Sequence, residues 1–291
     1  MHKFLEAVGF SELKKKDLEI IIKDIIDYPQ MMRVTKDSDG NEFAELSKEF
    51  APNLGITVRG NYDEEDVFHM EYYYPYFYGT EVTTREEIEI QKHAEKESYA
   101  GVCDDTHLGV TLIFYLQNLA DYLSENNRSN RATWLNGAIL SGLSIEGKIL
   151  LPVEQREDNK HPGKYSGAER SQLIAKAKDG DESAIDSLTA EDMDIYNVLS
   201  RRILHEDILT IVNSYFMPYG IESDQYSILG DILDYTLEIN KITNERIYCM
   251  KLLCNDIIFD VCIPEKKLLG EPEIGRRFKG NIWMQGSICM L

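Results

Sequence analysis

Between Met31 and Tyr74 the chain changes to a two-residue rhythm of apolar and polar side chains. It does so in four short runs, "MMRVTKD", "EFAELSKEF", "LGITVRGNY" and "DVFHMEYYY". Side chains on an extended strand point alternately to opposite faces, so this rhythm buries one face and wets the other; a helix would scatter the same residues around its axis. The runs are broken by turn residues, with "DSDGN" between the first two, and together they predict an antiparallel meander. A helix precedes it. In "SELKKKDLEIIIKDIIDYP", Leu18, Ile21, Ile22 and Ile25 form one apolar stripe, Ser11 is a candidate cap and Pro29 a stop.

Further on, "EIEIQKHA" and "SYAGVC" add strands. "LGVTLIFYLQNLADYL" places Leu112, Ile113, Leu116, Leu119, Ala120 and Leu123 at helical spacing but opens on strand-forming residues, and is predicted as a strand followed by a short helix. "TWLNGAILSGL" and "SIEGKILLPV" read as a hairpin about a glycine-containing turn. The polar "EQREDNKHPGKYSG" reads as a linker. Three helices follow it: "AERSQLIAKAKDG", "DESAIDSL" and "TAEDMDIYNVLSRRILH". The last has acids in its first turn and Arg201, Arg202 and His205 at its end, complementing the helix dipole. "ILTIVNSYFM", "DYTLEINKI", "RIYCMKLLC", "DIIFDVCI" and "NIWMQGSICM" are strands. The expected fold is therefore α+β in two halves, each with helices packed on an antiparallel sheet: residues 1–153, a linker at 154–167, and residues 168–291. Faint echoes, such as "YYPYFYG" against "SYFMPYG", raise an ancient duplication; unequal spacing counts against it.

Charge narrows the partners. Against 31 Lys and Arg stand 51 Asp and Glu, a net charge of −20 over 291 residues. Such a surface repels phosphate backbones and anionic lipid, so neither nucleic acid nor a membrane is the expected partner. No apolar run approaches the ~20 residues that span a bilayer, and no signal peptide is evident, which predicts a cytoplasmic protein. The five cysteines include no C-x-x-C pair and read as reduced thiols. G-x-S-x-G, H-E-x-x-H, G-x-G-x-x-G and Walker spacings are all missing, so no catalytic signature and no cofactor is indicated.

Three stretches hold candidate site residues. In "HMEYYYPYFYG", Phe68, Met70, Tyr72 and Tyr74 share one strand face, while Val67, His69, Glu71 and Tyr73 share the other. Pro75 is expected to end regular pairing, leaving Tyr76, Phe77 and Tyr78 on an edge or loop. Burying an aromatic ring is worth about 2 kcal/mol, so most of this stretch belongs in a core or domain interface. What remains for a partner surface is Tyr76, Phe77 and Tyr78 with His69 and Glu71. In "CDDTH", Cys103, Asp104, Asp105 and His107 are chemically able metal ligands, with His69, Glu71 or His93 to complete a set; ordinary turn chemistry is the stronger reading, and no metal is expected. In "GRRFKG", Arg276, Arg277 and Lys279 form the clearest local basic site. They either fork onto a phosphate or carboxylate ligand or pair with the protein's own acids at a hairpin tip. Glu222, Asp224 and Asp231 are able to bind a cation, but solvated loop acids are the simpler reading; Cys103, Cys262 and Cys289 read as small core residues.

"HAEKESYAGVCDD", "GVTLIFYLQN", "SGLSIEGKILLPV", "SYFMPYGIESDQYSILGDI" and "GEPEIGRRFKG" with "IWMQG" together resemble domain of unknown function 3881, a bacterial family known mainly from gut Firmicutes. The resemblance runs over essentially the whole chain. It implies an intracellular bacterial protein and supplies no activity, cofactor or catalytic residue. Two functions are expected. The first is a non-enzymatic interaction or regulatory protein, its partner another protein or a second copy of itself. The alternative is a binder of a small anionic ligand, an enzyme included, between the two halves, with Arg276 and Arg277 facing the ligand.

Overall fold

A computed structural model describes residues 1–92, 99–105, 108, 110–128, 135–153, 167–178, 180–190, 193 and 208–290. Most of the predicted linker and most of the third predicted helix, with Arg201, Arg202 and His205, lie outside the described residues, as do His93 and His107.

A 3-10 turn at Lys3–Val8 leads to helix α1 (Lys15–Asp27), whose buried stripe is Leu18, Ile21, Ile22 and Ile25, as its spacing predicts. Ser11 is not its cap. Its hydroxyl donates instead to Glu245 at 2.7 Å, tying the N-terminus to the far end of the chain. The predicted meander is present as β1 (Met31–Lys36), β2 (Glu42–Ala51), β3 (Leu54–Tyr62) and β4 (Phe68–Phe77), a four-stranded antiparallel sheet in chain order.

The second sheet is larger and mixed. It collects β5 (Thr84–Glu87), β6 (Glu89–Lys92), β7 (Tyr99–Cys103), β8 (Leu112–Leu116) and β9 (Leu135–Leu150) from the first part of the chain. From the last part come β10 (Tyr215–Pro218), β11 (Gln225–Ile239), β12 (Arg246–Cys254), β13 (Ile257–Pro264), β14 (Leu268–Leu269) and β15 (Arg277–Met290). Helices α2 (Leu119–Arg128), α3 (Gly167–Lys178), α4 (182–190) and α5 (Ile208–Ile211) lie between strands in the chain.

Five of these strands close on themselves. β11 pairs with β12, β12 with β13, β13 with β9, β9 with β15, and β15 again with β11. Only the β13–β9 step is parallel, so the directions around the ring are consistent. Closure is possible because β11 changes partners along its length. Gln225–Asp231 pair with β15 and Asp231–Ile239 with β12, Asp231 with both, and a register irregularity falls between Ile232 and Asp234 on the β12 side. An irregularity of this kind bends a strand and sharpens its twist. Ile228, Met250, Leu252, Phe259, Val261, Phe278 and Ile282 meet in one core that fills the ring.

Two expectations are corrected here. The two halves do not each carry a sheet of their own: β9 precedes the predicted linker, yet it is hydrogen-bonded between β13 and β15, which follow it. And residues 135–150 are not a hairpin but one 16-residue strand. Its glycines make room for neighbours rather than turns. A Cβ on Gly142 would sit 2.9 Å from Ile282, and one on Gly147 2.5 Å from the Phe278 ring.

The outer face of the ring carries a second core. Leu143, Ile247, Cys262 and Trp283 there meet Leu46, Ile56, Val58 and Tyr74 of the meander and Phe4, Leu5 and Ile25 of the N-terminal helices. The seam is pinned by Arg59, buried on β3. Its guanidinium contacts Glu45 at 2.7 Å and donates to the Tyr115 hydroxyl, the Tyr74 hydroxyl and the carbonyls of Leu116 and Gln117. The other Glu45 oxygen accepts from the Ala120 N–H in the first turn of α2. An ion pair removed from water is tolerable when its remaining hydrogen-bonding capacity is filled in this way.

Pro75 does not end β4. It pairs with Ile56 inside the strand. β4 is the edge of its sheet, so the missing N–H interrupts no ladder. Side chains from the other sheet satisfy that edge: Gln285 donates to the Pro75 carbonyl at 2.8 Å, Gln117 donates to the Phe77 carbonyl at 2.8 Å, and Ser141 also donates to Phe77.

Candidate functional site

β15 is flanked by two strands in succession along one edge. β11 holds it from Arg277 to Trp283, and β8 takes over at Gln285 and Gly286. β11 and β8 splay apart at the changeover, and a side chain spans the split: the Tyr226 hydroxyl accepts from the Ile113 N–H at 2.7 Å and donates to the Ile113 carbonyl at 3.0 Å. Places where a sheet changes strand partners leave crevices that ligands can use.

A cleft of about 1290 Å³ opens at this split. Trp283, Tyr115, Ile113 and Ala100 lie at its base. One wall is the Glu222–Gln225 segment that leads into β11. Another is Asn61, Glu71 and Tyr72 from β3 and β4. The N-terminal residues His2, Lys3 and Phe4 and the Asp37–Asn41 turn complete the rim.

Trp283 organises the base. Its indole N–H donates to Asp224 at 2.7 Å, and the Asp224 carbonyl accepts from the Met284 N–H at 2.8 Å. Its ring lies 4.8 Å from His2, 5.3 Å from Phe4 and 5.3 Å from Tyr115 between centroids. Burial pushes the His2 imidazole pKa down to about 4, with the neighbouring Lys3 charge adding to the effect. Burial raises the Tyr72 phenol to about 12. Among the described residues two buried side-chain polar atoms have no hydrogen-bond partner, His2 Nδ1 and Asn61 Oδ1, and both residues line this cleft.

The lining is rich in acids. Asp37, Asp39, Glu71, Glu222 and Asp224 stand against Lys3, Lys92 and Arg59. Arg59 is already matched by Glu45, and Lys3 donates to Gln225 at 3.2 Å. Asp37 is engaged by its own turn, accepting from the Asp39 and Asn41 N–H groups and the Asn41 amide. Glu71 accepts from Asn61 at 3.0 Å. The site can therefore offer many hydrogen-bond acceptors and an aromatic base, with a field that disfavours anions.

Of the described residues proposed for a ligand, partner or metal site, Glu71 alone lines the cleft, joined there by Glu222 and Asp224, whose simpler reading was as solvated loop acids. Arg277 is buried and donates to the carbonyls of Leu151, Val212 and Leu209, fastening α5 and the end of β9 to β15. Arg276 pairs with Glu273 at 2.8 Å and bonds the Glu271 carbonyl, the own-acid alternative for this turn. Lys279 lies over the Tyr215 ring at 5.8 Å. None of the three lines the cleft.

The proposed partner surface is also redistributed. Tyr76 and Phe77 are core residues, 2% and 3% exposed, and Tyr78 is half-buried with its ring 4.4 Å from Tyr76. His69 is exposed and bonds Asp63 at 2.6 Å. Glu71 is the exception that reaches the cleft. It sits at the register shift opposite Arg59 and Gly60, which breaks the simple face alternation expected along β4.

At "CDDTH" the turn chemistry is in place. Thr84 donates to Asp105 at 2.8 Å and Thr111 to Asp104 at 2.7 Å. Cys103 is buried, and burial, with Asp105 beside it, raises its thiol to about 11. His107 lies outside the described residues, and among those described no group of three or more His, Cys, Asp or Glu could hold a metal ion. No helix among them is long and apolar enough to cross a membrane.

Sequence reasoning missed His2, Asn61, Tyr115 and Trp283 because nothing local links them. The available hints were the acids of "IESDQY" and the "IWMQG" segment, one at the wall and one at the base. No curated protein and no solved structure matches the chain. A family model described as "Domain of unknown function, E. rectale Gene description (DUF3881)" matches residues 5–286, and the chain belongs to that family.

Proposed function

We propose that the protein binds a small, polar ligand, neutral or cationic, in the cleft over Trp283. The observation that carries this reading is the placement of a large, acid-richly lined cleft at the point where β15 changes partner from β11 to β8. A ligand between strands of the earlier and later chain keeps the position expected from sequence. Its chemistry differs, since the arginines of that expectation are engaged elsewhere and the rim is acidic. Acceptors such as Asp39, Glu222 and Asn61 suit hydroxyl or amine donors on the ligand, with partly exposed Tyr72 as an apolar wall.

A thermal-shift screen tests it, with Trp283 fluorescence in a Trp134→Phe background as the second readout. Neutral nucleosides and sugars, cationic amines and the phosphorylated counterparts of each are compared. Saturable stabilisation by a neutral or cationic member, weakened at least tenfold by Asn61→Ala, is the expected result. Binding confined to phosphorylated members, or by none, overturns the reading.

A second reading, docking of a protein partner, is favoured by one further feature. Met217, Tyr219 and Ile221 are exposed, Ile221 completely, on the chain that leads into the cleft wall. Light scattering of wild type against Tyr219→Ser/Ile221→Ser decides whether that surface drives self-association.

A further inference from the structure

Strands β12 and β13 are joined by a two-residue turn, Asn255 and Asp256, whose φ values of 47° and 65° are both left-handed. That is the backbone of a tight hairpin turn matched to strand twist. In such a hairpin the residues flanking the turn, Cys254 and Ile257, exchange both hydrogen bonds. Pairs then alternate outward between hydrogen-bonded and non-hydrogen-bonded. The register runs Leu253–Ile258, Leu252–Phe259, Lys251–Asp260, Met250–Val261 and Cys249–Cys262. Counting outward places Cys249 and Cys262 directly opposite each other at a non-hydrogen-bonded position.

Directly opposed residues share a face, and at a non-hydrogen-bonded pair the Cα atoms approach to about 4.5 Å. A disulfide needs roughly 4.4–6.8 Å between Cα atoms. Both cysteines are free thiols. Cys262 is fully buried in the second core, and Cys249 is partly exposed at its margin. We infer that Cys249 and Cys262 form an oxidative modification site, a cross-strand pair that a peroxide converts to a disulfide.

The chemistry balances with a peroxide as the sole co-reactant. The sulfur of Cys249, the less buried residue of the two, attacks a peroxide oxygen. The O–O bond breaks, the leaving oxygen departs as water with the thiol proton, and Cys249 becomes a sulfenic acid. Cys262 then displaces that hydroxyl, an S–S bond forms, and a second water leaves. Two thiols are oxidised by two electrons and the peroxide is reduced to two waters. Burial raises both thiols' pKa and keeps them protonated, so the dithiol persists under ordinary conditions and the reaction is slow. Attack of an external thiolate on the bridge returns the two thiols, so the change is reversible.

The test needs no variant to begin with. Folded protein is treated with hydrogen peroxide, remaining thiols are alkylated under denaturing conditions, and non-reducing peptide maps are read by mass spectrometry. The expected product is a cross-linked pair of peptides carrying Cys249 and Cys262, two hydrogens lighter and restored by dithiothreitol. Cys262→Ser is expected to trap Cys249 as a dimedone-reactive sulfenic acid. Full alkylation of both cysteines after Cys103 or Cys289 has been oxidised overturns the inference. So does overoxidation of Cys249 in wild type without a bridge.

Discussion

The Tyr226 hydroxyl is bonded to both backbone groups of Ile113, at 2.7 Å to the N–H and 3.0 Å to the C=O, so a side chain replaces a strand ladder between β11 and β8. A sheet that splits exposes the peptide groups of both diverging strands to an interior that cannot solvate them. Tyr226, buried with its ring 4.5 Å from Phe216, resolves this for β8.

Tyr226→Phe keeps the ring and removes the hydroxyl, leaving the Ile113 N–H and C=O without that partner. A loss of about 1–3 kcal/mol is expected in urea unfolding. An unchanged midpoint and slope would mean that the split does not depend on this contact.

Arg59→Met strands the Glu45 carboxylate in the second core and is expected to cost about 3–5 kcal/mol. Adding Glu45→Leu removes the orphaned charge and should recover most of that loss. A double mutant as unstable as the single one would show that Arg59 acts through Tyr74 and Tyr115 rather than through Glu45.

The adjacent arginines of "GRRFKG" should behave differently. Arg277 holds three carbonyls and is 4% exposed, so Arg277→Ala is expected to cost about 2–4 kcal/mol through lost bonds and unsatisfied backbone. Arg276 pairs with Glu273 near the surface, and Arg276→Ala should stay within about 0.5 kcal/mol. Thermal melts of the two variants make the comparison.

Acid should loosen the N-terminus. His2 titrates near 6.5 in an unfolded chain and only near 4 in the fold, so the unfolded state takes up the proton first as pH falls. Its contribution is complete above pH 6.5 and lost on descent toward pH 4, by up to about 3 kcal/mol. Trp283 fluorescence followed over that window in the Trp134→Phe background should change in wild type and stay flat in His2→Phe, which keeps the ring contact without the charge.

Much of the local architecture is legible in residue order. The stripe of α1, the meander of β1–β4, the strand-then-helix at Leu112–Arg128, the second part of β11 and the strands β12 and β13 follow from periodicity and turn residues, because those report which face of a segment is apolar. The first part of β11, from Gln225 onward, falls in a segment that reads as a loop. Periodicity does not name the segment that will cover that face. Gly142 and Gly147 resemble turn glycines until Ile282 and Phe278, more than a hundred residues away, are seen to fill the space beside them. Pro75 resembles a strand end until its strand proves to be an edge stitched by Gln285. The aromatic run from Tyr72 to Tyr78 was legible as mostly core, yet the register shift that turns Glu71 toward the cleft was not. The cleft itself depends on β15 passing from β11 to β8, which brings His2, Asn61 and Trp283 together across the whole chain. Residue order carries many of the elements and their buried faces, which are local properties, but not α5 at Ile208–Ile211, which lies in a segment predicted as strand. The tertiary structure alone decided ring closure, the split at Tyr226 and the cleft, because long-range strand pairing depends on the energies of partners distant in sequence.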